Sequence, residues 1–216
     1  MRRALTGSGG ASEALTACQD MVGEAAPALA DCGPAPQLTG LDGWLNTPRN
    51  APVTAADLSG KVLLVDFWAY SCINCQRAIP HVDAWARAYK DSGLDVIGVH
   101  TPEYAFEHVP ANIAAGAERL GTSYPIAIDN NFATWDAFHN QSWPADYLID
   151  ATGRIRYAGT GEGLYPETEE LIRQLLTSAD PDAVLPVATD VPDRTPTSSL
   201  QSPETYLGAA RAVLHR

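Results

Sequence analysis

Two of the four cysteines stand three residues apart, as Cys72-Ile73-Asn74-Cys75, directly behind the apolar run Lys61–Tyr70 (KVLLVDFWAY). Thiols at that spacing can close a disulfide and reopen it, which exchanges two electrons with another dithiol or disulfide. The preceding run is rich in β-branched and aromatic residues and reads as a strand. After it, Ile73, Ala78, Ile79, Val82, Trp85, Ala86 and Tyr89 recur at helical spacing. Cys72 is therefore expected at a helix N-terminus, where backbone N–H groups and the helix dipole favour a thiolate and lower a cysteine pKa from about 8.5 to roughly 3.5–7.5. Cys75, a turn deeper and shielded from solvent, is the expected resolving thiol.

An acid interrupts the same strand. Asp66 is expected to point toward the inner face of the dithiol, where desolvation raises a carboxyl pKa and suits it to pass a proton to or from Cys75. The plainer reading is a paired, inert acid at a strand edge. Further along, Ser142-Trp143-Pro144-Ala145-Asp146-Tyr147-Leu148-Ile149-Asp150 sets a proline before another apolar strand. A zinc site using all four cysteines is disfavoured, because only one pair has Cys-x-x-Cys spacing. His81, His100, His108, His139 and His215 show no ligand spacing, and surface or strand-end positions suffice for them. Gly159-Thr160-Gly161-Glu162-Gly163 follows a strand and reads as a turn rather than a phosphate cradle.

The elements that must position these groups alternate regularly. Strand Lys61–Trp68 leads into the cysteine-bearing helix to Lys90, then strand Leu94–His100. Thr101-Pro102-Glu103 is expected to start a helix, with Thr as N-cap and Pro at the first helical position. One or two helices through Leu120, strand Tyr124–Ile128, helix Phe132–His139, strands Ala145–Ile149 and Arg154–Thr160, and helix Glu167–Thr177 complete the order, preceded by a short strand or hairpin near Leu41–Leu45. With 216 residues, 45% of them hydrophobic, the chain can bury one substantial core. Residues 37–178 are expected to hold it. Residues 1–36 read as a flexible or weakly helical lead, with an Ala-rich helix within Ser12–Ala30 interrupted by Pro27 and a linker at Gly33-Pro34-Ala35-Pro36. Residues 179–216 read as a Pro-rich extended tail or linker. Cys18 and Cys32 are left open between a disulfide of the lead, free thiols and remnants of an upstream domain. A net charge of -12 argues against nucleic acid and anionic lipid surfaces as partners. No apolar run has signal-peptide or membrane-spanning length.

Val65-Asp66-Phe67-Trp68-Ala69, then Cys72-x-x-Cys75, then Pro80 resembles the thioredoxin active-site pattern position for position. Ser71 stands where thioredoxin usually has Trp, and Ile73-Asn74 replaces Gly-Pro, so the redox potential does not carry over. The resemblance implies an α/β fold, a thioredoxin-like three-layer sandwich with a mixed central sheet and a helix–strand insert before a cis-proline at Pro144. It further implies a substrate groove formed by Trp68, Trp143 and Pro144; a plain core aromatic is the other reading of Trp143. WAYSCINCQRAIPHV, GVHTPEYAFE, WPADYLID and SPETYLG resemble extracytoplasmic thiol-disulfide reductases of the TlpA/ResA type, and more closely the soluble domain of DipZ-type proteins, over about Pro36 to Gly208. In the TlpA/ResA group a glutamate after the second central strand takes part in the proton chemistry of the dithiol, and Glu103 matches that position. A Glu in the first turn of a helix also stabilises the dipole with no catalytic role, and both readings stand. The likeness implies no cofactor, protein disulfides as substrates, a membrane electron donor of the CcdA type, an extracytoplasmic place in the cell envelope and a role in cytochrome c maturation or envelope redox homeostasis.

Three function classes follow. The first is a protein-disulfide oxidoreductase, more specifically a reductase. A second is a peroxiredoxin-like peroxidase, which needs a Thr three residues before its reactive Cys and a Pro four residues earlier; Ala69 and Val65 stand there instead. The third is a binding module with a structural dithiol.

Overall fold

The computed structural model describes residues 8–20 and 27–197. Its elements are α1 (Ser8–Asp20), β1 (Gly43–Leu45), α2 (Ala55–Leu58), β2 (Val62–Trp68), α3 (Ile73–Tyr89), β3 (Leu94–His100), α4 (Pro110–Leu120), β4 (Ile126–Ile128), α5 (Ala133–Ala137), β5 (Ala145–Ile149), β6 (Ile155–Thr160) and α6 (Tyr165–Ala179). The strands form one six-stranded sheet in the order β1-β4-β3-β2-β5-β6. β2, β3 and β4 run parallel, while β1, β5 and β6 pair antiparallel to their neighbours, so the sheet is mixed. This is the expected thioredoxin-like sandwich, with α4, β4 and α5 between β3 and the proline-led strand β5.

Alternation along β2 builds the two cores. Every residue of this strand is buried, as expected of a central strand covered on both faces. Val62 and Leu64 pack with Ala78, Val82 and Trp85 of α3 and with Leu171, Ile172 and Leu175 of α6. Leu63, Val65 and Phe67 face the other way, into a cluster with Leu15 of α1, Ile113 of α4 and Trp135 of α5. By that period Asp66 shares the α3 side with Val62 and Leu64.

The lead and the tail both lie against this body. Cys18 of α1 is disulfide-bonded to Cys32, and both are buried. The Ala30 and Cys32 N–H groups donate to the Arg156 and Ile155 carbonyls, and Pro34 bridges Arg154, so the stretch assigned to a linker runs beside β6. Gln19 Nε2 donates to the Tyr147 hydroxyl at 2.9 Å. In the tail, the Glu169 carboxylate accepts from Thr189 N at 2.8 Å and Thr189 Oγ1 at 2.7 Å, while Arg173 donates to the Pro186 carbonyl at 2.7 Å. The tail is thus an extended strap along α6 as far as residue 197; the SPETYLG motif lies outside the described residues.

Two local expectations are corrected. No helix starts at Thr101: a 3₁₀ turn occupies Ala105–His108 and α4 begins at Pro110. Thr101 is fully buried, donates its N–H to the Trp68 carbonyl and its hydroxyl to Asp129, and so is spent extending the sheet rather than capping a helix. His81 is not a surface residue. It is buried and stacked on Tyr165, with ring centroids 3.6 Å apart.

Candidate active site

Cys72 is the N-cap of α3, and its Sγ accepts the Cys75 N–H at 3.3 Å. Both are free thiols, Cys72 partly accessible and Cys75 buried. The Cys75 thiol, with the N–H groups of Cys75 and Asn74, holds Cys72 below the ordinary thiol value, against partial burial and the Glu103 carboxylate, which push it up. Burial drives Cys75 well above that value, helped by its hydrogen bond to Cys72 and by the charges of Cys72 and Asp66. One thiolate is favoured at the accessible end of the helix and disfavoured one turn in. This asymmetry comes from backbone geometry, since an N-cap position aims unsatisfied N–H groups at whatever occupies it.

Asp66 sits beneath this pair, 1% exposed. Burial, then the Asp146 carboxylate, push its pKa well above the usual range, the Tyr124 hydroxyl opposing weakly across 3.4 Å. Asp146 stands directly opposite Asp66 in the β2–β5 register and has a pKa raised by burial to about 7. On the other side, the register partner of Asp66 is Gly98. A Cβ there would lie 2.8 Å from both Trp68 Nε1 and Tyr124 Cε2, so only glycine lets these rings close over the acid.

A second carboxylate anchors the loop after β3. Glu107 is fully buried and accepts four hydrogen bonds: from Ser71 N at 3.2 Å, Ser71 Oγ at 2.7 Å, Glu103 N at 2.7 Å and Tyr104 N at 3.0 Å. It ties the residue before Cys72 to the backbone that carries Glu103. His100, stacked on Tyr70 and edge-on to Trp68, accepts the Tyr70 N–H at 3.3 Å. Burial lowers its pKa to about 4, so it is neutral at physiological pH.

Of the residues named from sequence, Cys72, Cys75 and Asp66 converge, and Glu103 lies within electrostatic reach of Cys72. The Trp143-Pro144 peptide is cis. Because β5 runs antiparallel to β2 with Phe67 opposite Ala145, Pro144 falls at the same end of the sheet as the dithiol. Trp68 is fully buried and offers a substrate no surface, so its place is the wall beneath the site. Trp143 is 8% exposed, donates Nε1–H to the Thr101 carbonyl at 3.0 Å and packs on Trp135. Its ring is thus packed in the core beside the cis bond. Sequence reasoning missed Asp146 and Glu107. An acid at the second position of an apolar strand was a signal for the first, whereas nothing in the spacing of Glu107 announces a partner at Ser71.

The family model described as "AhpC/TSA family" matches residues 33–158. Protein DipZ of Mycobacterium tuberculosis (strain CDC 1551 / Oshkosh) is 58% identical over 207 residues, covering 95% of this chain and 30% of that protein. This chain therefore spans less than a third of the DipZ proteins it matches. Thiol-disulfide oxidoreductase YkuV of Bacillus subtilis (strain 168) is 34% identical over 148 residues, 68% of this chain and 97% of YkuV. Among solved structures, the solution structure of a thioredoxin-like protein in the oxidised form superposes with a TM-score of 0.60 at 34% identity, covering 67% of this chain and 95% of that one.

Proposed function

We propose, for a chain that belongs to the AhpC/TSA family and is a thioredoxin-like protein-disulfide oxidoreductase, that its Cys72–Cys75 dithiol reduces protein disulfides outside the cytoplasmic membrane. The observation that carries this reading is the opposed tuning of the two thiols: a partly accessible, N-capped Cys72 below its ordinary pKa and a buried Cys75 far above it. The Cys72 thiolate attacks one sulfur of a substrate disulfide, forming a mixed disulfide and expelling the other substrate sulfur as a thiolate. Cys75 then gives up its proton and attacks Cys72 Sγ, which closes the Cys72–Cys75 bond and releases the second substrate thiolate. The substrate is reduced by two electrons and the enzyme oxidised, so an external dithiol must reset it.

Asp66 is the proton acceptor for Cys75 in this scheme, and Glu103 tunes Cys72 by its charge. Pro144, at the end of the sheet that carries the dithiol, is the position beside which an extended substrate segment would pair. An extracytoplasmic place is supported by the Cys18–Cys32 disulfide, since disulfides outside an active site persist in oxidising compartments. It fits the likeness to DipZ, and with it a CcdA-type membrane donor and a task in cytochrome c maturation or envelope redox homeostasis. No helix among the described residues is long and apolar enough to cross a membrane.

The test is to equilibrate the protein with a thiol buffer of known potential, then offer an oxidised protein to the dithiol form. Stoichiometric substrate reduction with Cys72–Cys75 closure is expected, and a couple that fails to exchange with protein disulfides overturns the reading. The AhpC/TSA match gives a peroxidase its only specific support. Ala69 and Val65 leave it without a hydrogen-bonding Thr and Pro, and rapid peroxide consumption in stopped flow would favour it instead.

A further inference from the structure

We propose that Asp146 is the second half of a proton-sharing carboxyl pair with Asp66, and that this pair, rather than Asp66 alone, takes the proton of Cys75 as a mixed disulfide is resolved. The inference rests on the thiol-disulfide reading above. Asp66 and Asp146 are register partners on antiparallel strands, next to the Leu64–Leu148 pair. Directly opposed residues on such strands project to one face with Cβ atoms about 4.5–5.5 Å apart. Leu64 and Leu148 belong to the core under α3 and α6, which fixes the face. Asp66 is 1% exposed; Asp146 is half-buried as a residue, but its Oδ1 is buried with no hydrogen-bond partner.

Among the described residues no cation acts on either carboxyl. From α3 the pair is faced by the Cys75 and Cys72 thiols, from the segment before β4 by the Tyr124 hydroxyl, and from β6 by Tyr157. The β3 residue opposite Asp66 is Gly98. Both phenols are held above their ordinary pKa by burial and stay neutral. Asp83, beyond Tyr124, is paired with Arg87 at 2.7 Å and so adds little net charge of either sign. Among the described residues neither acid takes part in an ion pair. Two carboxyls in a desolvated site without a cation do not both ionise, and one proton stays between them.

That arrangement answers a mismatch. A carboxylate of ordinary basicity is a poor acceptor for a buried thiol, and raising its pKa narrows the gap. With the shared proton on Asp146, the Asp66 carboxylate accepts the Cys75 proton while the Cys72–Cys75 bond forms and the bond from Cys72 to the substrate sulfur breaks. Both carboxyls are then protonated, and the extra proton leaves with the substrate thiolate or to solvent. Asp146 acts through Asp66 and is a positioning residue.

The test joins carboxyl-carbon NMR titration of reduced wild type, Asp66→Asn and Asp146→Asn to the pH profile of single-turnover resolution from a mixed disulfide on Cys72. Asp146→Asn is expected to lower the Asp66 midpoint by about one pH unit or more, and to move the resolution profile the same way. A merely structural Asp146 would shift neither. An unmoved Asp66 midpoint and profile overturn the inference while leaving the oxidoreductase reading intact. Absence of exchange in wild type overturns that reading itself. If Asp146→Asn does not fold, the wild-type curves decide: a coupled pair shows both carboxyls titrating in two shared steps, and independent single steps overturn the proposal.

Discussion

Glu107 Oε1 accepts the Ser71 hydroxyl at 2.7 Å, so a fully buried carboxylate holds the residue that precedes the accessible cysteine, Cys72. The other oxygen takes the Glu103 and Tyr104 N–H groups, which makes Glu107 the joint between the dithiol and the loop after β3. Glu107→Ala leaves those backbone donors unsatisfied and is expected to cost about 2 kcal/mol or more, against about 1 kcal/mol for Ser71→Ala. Urea denaturation of both variants checks the order.

The order of attack has a direct readout. Cys75→Ser should accumulate a long-lived mixed disulfide through Cys72, because attack proceeds and resolution does not, whereas Cys72→Ser should trap almost nothing. Each variant is incubated with an oxidised protein and run on a non-reducing gel. Equal trapping would reverse the assignment of nucleophile.

Burying the acidic pair costs stability at neutral pH. Asp146 has a folded pKa of about 7 against an ordinary value of 3.8. Between those values the folded state holds a proton that the unfolded chain releases, so stability falls as pH rises from about 4 to 7, by about 4 kcal/mol from Asp146 alone, with Asp66 acting in the same direction. Asp146→Asn should therefore raise the Tm at pH 7 and flatten this slope, and Asp66→Asn should do the same while slowing resolution by Cys75. A lower Tm for both at pH 7 would contradict the account.

His100 contributes the opposite slope. Its folded pKa is about 4 and its ordinary value 6.5, so on acidification the unfolded chain takes up a proton that the fold refuses. Stability from this group is complete above about pH 6.5 and declines toward pH 4, by about 3 kcal/mol. His100→Gln should lose less of its own stability between those limits than wild type does. Denaturant midpoints measured across the range test it.

Replacing Cys18 and Cys32 with Ala should destabilise the fold by about 2–4 kcal/mol, because the bond closes a loop of sequence separation 14 that anchors α1. Exchange by Cys72–Cys75 should persist, since the bond lies at β6. Loss of exchange with retained folding would place the lead in the mechanism.

The local chemistry was legible in the chain. Periods of two and 3.6 placed β2 and α3, and those alone put Cys72 at a helix start and Asp66 in an apolar strand, because backbone periodicity decides which side chains share a face. The resemblance carried by the motifs around Cys72 extended this to the whole sandwich and to the cis-proline. What pairing across the sheet decided was out of reach. Asp146 became a partner of Asp66 only when β5 docked antiparallel on β2 in one register. Glu107 became a hydrogen-bonding carboxylate beside the dithiol only when the loop after β3 folded back onto Ser71. Cys18 and Cys32, undecided by spacing, were joined once residues 30–34 ran beside β6. Such contacts link residues far apart in sequence, and it is burial in a common core, rather than any local preference, that selects them.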